Sequence, residues 1–156
     1  MKYKLKKTAV WMVFLIYIAV MLVLLFFQRI GWDNGLSYAE HFRYQTNLIP
    51  MRTVIELIGN IRDNTVYAEL SVRNLIGNIL LFVPLGIFLP AIWKKQRRFG
   101  WFFPTVAAAI VCVELIQLFT MLGSCDIDDL IFNTAGASIG FAIGRTRLFR
   151  KLCFPE

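Results

Sequence analysis

Glu114 and Gln117 lie three residues apart inside an otherwise apolar run, which puts both side chains on one face of a helix. An acid at the middle of a membrane span costs about 2.5–3.5 kcal/mol, so Glu114 must face a bundle interior and hold either a proton or a partner. A second polar stretch follows, Gly123-Ser124-Cys125-Asp126-Ile127-Asp128-Asp129, with Asn133 beyond it. Asp126, Asp129, Asn133, Gly136, Gly140 and Gly144 recur at intervals of three or four, which predicts one helical stripe, polar at one end and small along the rest. A third contribution is Asn74 and Asn78, one turn apart in another apolar run. Carboxylates grouped with amides, and flanked by Arg43, Arg52 and Arg73, can bind a cation, relay a proton or hold a polar headgroup. If the cluster performs a reaction, Glu114 and Asp126 are the candidate general bases. Plainer roles compete: Glu114 and Gln117 can simply bridge helices, and Asp126 with Asp129 can cap a helix N-terminus.

The elements that must position these residues are membrane helices. Hydrophobic residues make up 58% of the chain, well above the roughly 45–50% of soluble domains, and they come in blocks of spanning length. We expect an all-α bundle of four transmembrane helices. The spans are Thr8 to Phe27, a second from Leu75 to Trp93 that is kinked or broken at Pro84, a third from Trp101 to Leu122, and a short fourth from Leu130 to Arg147. The first is read as a retained anchor, because Gln28 to Trp32 offers no small-residue cleavage site. This divides the chain into residues 1–27 (basic tail and first span), an extracytoplasmic interfacial segment 28–73, a three-helix region 74–148 and a tail 149–156. Within the interfacial segment, Pro50 can start a short helix in which Met51, Val54, Ile55, Ile58 and Ile61 share a face, either interfacial or re-entrant. Gly136, Gly140 and Gly144 suit close approach of another helix and could serve a homodimer.

Net charge +7 could suggest nucleic acid, but its distribution points to a membrane. Lys2, Lys4, Lys6, Lys7, then Lys94, Lys95, Arg97, Arg98, then Arg145, Arg147, Arg150 and Lys151 hold 12 of the 17 cations in three segments. Placing those segments inside satisfies the positive-inside rule and puts both termini in the cytosol. Cys112, Cys125 and Cys153 then lie at different depths, so no disulfide is expected. The single histidine, His41, sits in an interfacial aromatic stretch, no Cys/His spacing suits zinc, and no nucleotide or nucleophile-elbow motif is present. We therefore expect no metal and no cofactor, and Ser124 or Cys125 is a weak nucleophile candidate.

Four short pieces in order resemble the VanZ-like family: Asn47-Leu48-Ile49-Pro50; Asn74-Leu75-Ile76-Gly77-Asn78 with Phe82-Val83-Pro84-Leu85-Gly86; Glu114-Leu115-Ile116-Gln117; and Asp126-Ile127-Asp128-Asp129 with Asn133-Thr134-Ala135-Gly136. The resemblance covers Thr46 to Gly144. It implies a multi-pass protein of the bacterial cell membrane, in a family named for an accessory factor that raises teicoplanin resistance more than vancomycin resistance. It also adds Asn47, giving a candidate ligand set of Asn47, Asn74, Asn78, Glu114, Gln117, Asp126, Asp129 and Asn133. Many relatives carry an arginine before the acidic motif where this chain has Leu122-Gly123-Ser124-Cys125.

Three functions compete. The polar cluster could bind a lipid headgroup, a cell-wall lipid precursor or a lipoglycopeptide antibiotic at the outer leaflet, without catalysis. It could belong to an intramembrane enzyme acting on a lipid-linked envelope substrate. It could couple protons or cations to transport, with the second span and Glu114 supplying the coupling site.

Overall fold

A computed structural model describes residues 2–26, 35, 37–63, 67–147 and 149. The expectations for Gln28 to Trp32, Phe27, Arg150, Lys151 and Cys153 lie outside these residues. The elements are α1 (Lys2–Phe26), α2 (Tyr38–Tyr44), β1 (Thr46–Asn47), α3 (Arg52–Arg62), α4 (Tyr67–Ile92), a 3-10 turn (Lys94–Arg97), α5 (Phe99–Phe119), β2 (Cys125–Asp126) and α6 (Ile127–Gly144). Among the described residues, three helices are long and apolar enough to cross a membrane: α1 over Lys7–Phe26, α4 and α5. Helix α6 has 18 residues and carries Asp128 and Asp129 in its first turn.

Helix α4 corrects one expectation and narrows another. It begins at Tyr67, so the boundary drawn between 73 and 74 falls inside it. It also runs on through Pro84 and Pro90, so of the two expected forms, kinked or broken, the helix is not broken. Each proline removes a single backbone bond. The Tyr17 hydroxyl of α1 donates to the carbonyl of Leu81 at 2.8 Å, one residue beyond the Leu80 carbonyl that Pro84 leaves without its helical donor.

The tightest packing is between α4 and α6. A Cβ added at Gly140 would lie 1.9 Å from the Val83 carbonyl oxygen, one at Gly136 would lie 2.1 Å from that of Ile79, and one at Gly86 would lie 2.0 Å from that of Ala137. Backbone meets backbone along this seam, which only glycine permits. Gly144 is different, since a Cβ there would meet Ile87 at an ordinary 3.4 Å. Helix α4 fills the seam at Gly136 and Gly140 from within the chain, which is the close helix approach that their spacing predicts. Gly86, the matching residue on α4, was read from sequence within the VanZ-like resemblance and not as a packing position.

Aromatic contacts close the same end of the bundle. Phe102 of α5 stacks at a tilt on Phe141 of α6 with ring centroids 4.7 Å apart, and Trp11 of α1 meets Trp93 edge-on at 5.3 Å. Phe14, Phe82, Leu85, Val106, Ile110 and Ala137 complete the core.

Candidate functional site

On α5 one stripe changes chemistry along its length. Phe102, Val106 and Ile110 are buried, and one turn further on the same face Glu114 and Gln117 are buried too. The helix therefore presents oil to the core at one end and a carboxylate with an amide at the other. On α6 the stripe behaves similarly: Gly140, Ala137 and Gly136 pack closely, and Asn133 and Asp129 follow towards the N-terminal end. Asp126 does not share that stripe. It is the N-cap of α6, in extended conformation at φ −122°, and its side chain accepts from the Asp128 N–H. Its carbon skeleton therefore lies outside the helical repeat.

Glu114, Gln117, Asp129 and Asn133, with Asn74 and Asn78 of α4, line one cavity of about 490 Å³. That size falls within the range of small-ligand sites, about 300–1,000 Å³. Leu24, Leu25 and Leu81 give it an apolar side, and Arg73 borders it. Asn78 donates its side-chain amide to the Asp129 carboxylate. Gln117 Nε2 donates to the Leu25 carbonyl at 2.9 Å, tying the end of α1 to α5. The Glu114 carboxylate accepts the Asp126 backbone N–H at 3.2 Å, joining the buried acid to the loop before α6.

Asn47 and Asp126 lie elsewhere. Asn47 Nδ2 donates to Asp126 Oδ1 at 3.0 Å, beside a parallel two-residue bridge that pairs Thr46 with Cys125 and Asn47 with Asp126. Neither side chain lines the cavity. Their geometry joins two distant stretches of chain.

Two residues went unnoticed as site components. Asp128 is fully buried, and its carboxylate accepts the Met51 N–H at 2.5 Å and the Thr53 N–H at 2.7 Å. It therefore caps α3, whose own N-cap, Met51, offers no side-chain acceptor and sits in the left-handed region at φ 65°. A carboxylate at a helix N-terminus is favoured by both the unsatisfied N–H groups and the macrodipole. The only sequence signal was negative: a helix start with no cap of its own.

His41 is the other. It was read as interfacial, yet it is 1% exposed and lines the cavity. Helix α2 carries it there. Ser37 and Glu40 form a capping box that starts α2, the Tyr38 hydroxyl donates to the Phe119 carbonyl, and Phe42 meets Phe119 edge-on at 5.3 Å. The short helix is thus held on the end of α5, with His41 facing inward.

Cys125 reports the field of the cluster. Partial burial, then the carboxylates of Glu114, Asp126 and Asp129, push its thiol above the ordinary cysteine range. The thiolate is disfavoured, so Cys125 is a poor nucleophile. Among the described residues Cys112 and Cys125 are free thiols, and no group of three metal-binding side chains is present.

The VanZ/LLP1 family model matches residues 13–150. The chain belongs to that family. It is also similar to Protein VanZ of Enterococcus faecium, at 29% identity over 105 residues. That match covers 65% of this chain and 62% of the relative, so it spans less than two thirds of the relative's length. No solved structure matches. The matched region of this VanZ-like chain contains the cavity, the Asn47–Asp126 pair and the Asp128 cap alike.

Proposed function

We propose that this VanZ-like chain crosses the cell membrane four times with both termini in the cytosol, and that its cavity serves as a binding pocket at the outer leaflet. Helix α6, at about 1.5 Å per residue, is just long enough for a thin or locally narrowed bilayer, and the close seam with α4 supports placing it alongside a spanning helix. The clustering of cations in three segments supports the orientation. Helix α3, with Ile55, Ile58 and Ile61 exposed on one side, then lies in the outer interface.

The pocket is proposed to take the polar head of a lipid, a cell-wall lipid precursor or a lipophilic glycopeptide, acting as an envelope factor in the manner implied by the family's link to teicoplanin resistance. One observation carries this reading: carboxylates and amides from three helices meet in a cavity with an apolar side, the arrangement suited to an amphiphile.

The test is susceptibility to teicoplanin and vancomycin in a Gram-positive host expressing wild type, Glu114→Gln or Asp129→Asn at matched membrane abundance. The expected result is a selective rise in teicoplanin tolerance that both substitutions abolish. No rise with wild type, or full tolerance with both variants, refutes the reading.

An intramembrane enzyme is the second reading. It is favoured by the presence of buried His41 and Glu114 in the same cavity, two side chains able to exchange protons. It predicts a change in the mass of an extracted envelope lipid, which the binding reading does not.

A further inference from the structure

The hydrogen-bonding capacity of the cavity is unevenly used. Asn133 is 3% exposed and its Oδ1 has no hydrogen-bond partner; His41 is 1% exposed and neither ring nitrogen has one. Both line the same cavity. Buried polar atoms are almost always partnered in folded proteins, so two such side chains facing one space point to a ligand that completes them. The chemistry of that ligand follows from what the wall offers. Asn78 gives an amide hydrogen to Asp129, and Gln117 gives one to Leu25, so two cavity amides direct donors into the protein itself. The cavity's buried atoms still to be partnered are the Asn133 acceptor and the two His41 ring nitrogens, beside the carboxylates of Glu114 and Asp129, while Gln45, Asn74 and Ser124 line the same cavity with groups that both donate and accept. The one guanidinium, Arg73, is solvent-exposed and borders the cavity.

We propose that the cavity selects a phospholipid headgroup rich in hydrogen-bond donors, a primary amine or a polyol, with its phosphate meeting Arg73 at the rim. This rests on the outer-leaflet binding function above and narrows it. The donors meet the unpartnered acceptor of Asn133, with the Glu114 and Asp129 carboxylates lending negative charge nearby, and His41 supplies the remaining partner. A quaternary ammonium head of the same charge has no N–H to give and is disfavoured.

The experiment is native mass spectrometry of the full chain in detergent, titrated with phosphatidylethanolamine, phosphatidylglycerol and phosphatidylcholine of identical acyl chains. The first two are expected to be retained about threefold to tenfold more strongly than the third, the ratio set by one net hydrogen bond. Asn133→Leu should erase the preference, whereas Asn133→Asp, which keeps the acceptor, should retain it; His41→Phe should weaken binding of both donor-bearing lipids. Equal retention of phosphatidylcholine, or loss of the preference in Asn133→Asp but not Asn133→Leu, overturns the proposal. Equal affinity for glycerophosphoethanolamine without chains overturns its lipid source. If the lipids are not distinguished while Glu114→Gln still abolishes teicoplanin tolerance, only this inference fails; if no cavity variant alters tolerance, the function itself fails.

Discussion

The two ends of α6 meet their neighbours in opposite ways. From Gly136 onward, backbone lies against backbone and aromatic rings close the gaps, so nothing polar has room to enter. Before Gly136, the same helix face carries Asn133 and Asp129, and α5 answers with Glu114 and Gln117 across open volume. Small residues bring helices together, while polar ones need partners and therefore space. The rigid half can thus hold the polar half at fixed spacing without contributing a single atom to the cavity wall.

The largest expected effect tests the rigid half. Gly140→Leu drives a side chain into the Val83 carbonyl, and overpacking of this kind costs about 1–3 kcal/mol or more. Its thermal unfolding in detergent should fall well below wild type. Gly77→Ala, with nothing within 4 Å of the added carbon, should be neutral or gain up to about 0.5–1 kcal/mol. Equal behaviour of the two would dissolve the contrast between the halves.

Next comes the Asp128 cap. Asp128→Ala leaves the N–H groups of Met51 and Thr53 without their acceptor, and each bond to a charged group contributes roughly 1.5–3 kcal/mol. Hydrogen exchange should rise in α3 while the seam between α4 and α6 keeps its protection; loss of protection in both would mean that the halves unfold together. Asn47→Ala, which removes a single bond to Asp126, should loosen the same region by about 0.5–1.5 kcal/mol.

The smallest effect is at α2. Hydrogen bonds from the Ser37 side chain and backbone hold the Glu40 carboxyl below the usual carboxylate range. A depressed pKa means the cap contributes above the ordinary value and is lost as pH falls through the folded one. Proteolysis near Ser37 should therefore quicken in acid in wild type, and Glu40→Gln should show a flatter pH dependence.

Helical residues that must be polar in apolar surroundings were readable from sequence. Glu114 and Gln117 stand out against their run, and the three-residue spacing gives their shared face without any tertiary knowledge. The α6 glycines were readable for the same reason. What sequence could not supply was partners far along the chain. Asp128 gained its role from Met51 and Thr53, and Asp126 from Asn47, pairs that no local period links. His41 looked interfacial because composition says nothing of which helix end α2 rests on. At Pro84 sequence left kink and break both open, and the continuous helix excludes only the break.

The short bridge from Thr46–Asn47 to Cys125–Asp126 also sets an order of assembly during synthesis. Its later strand leaves the ribosome after α4 and α5, so the earlier segment cannot be fastened until the acidic loop has been made. Until then α3 has its packing against α4 but neither the bridge nor its cap. Cys125 and Asp126, with Asp128 in the first turn of α6, bring the bridge and the cap within four residues of each other, so the two fastenings of the early segment become possible almost at once.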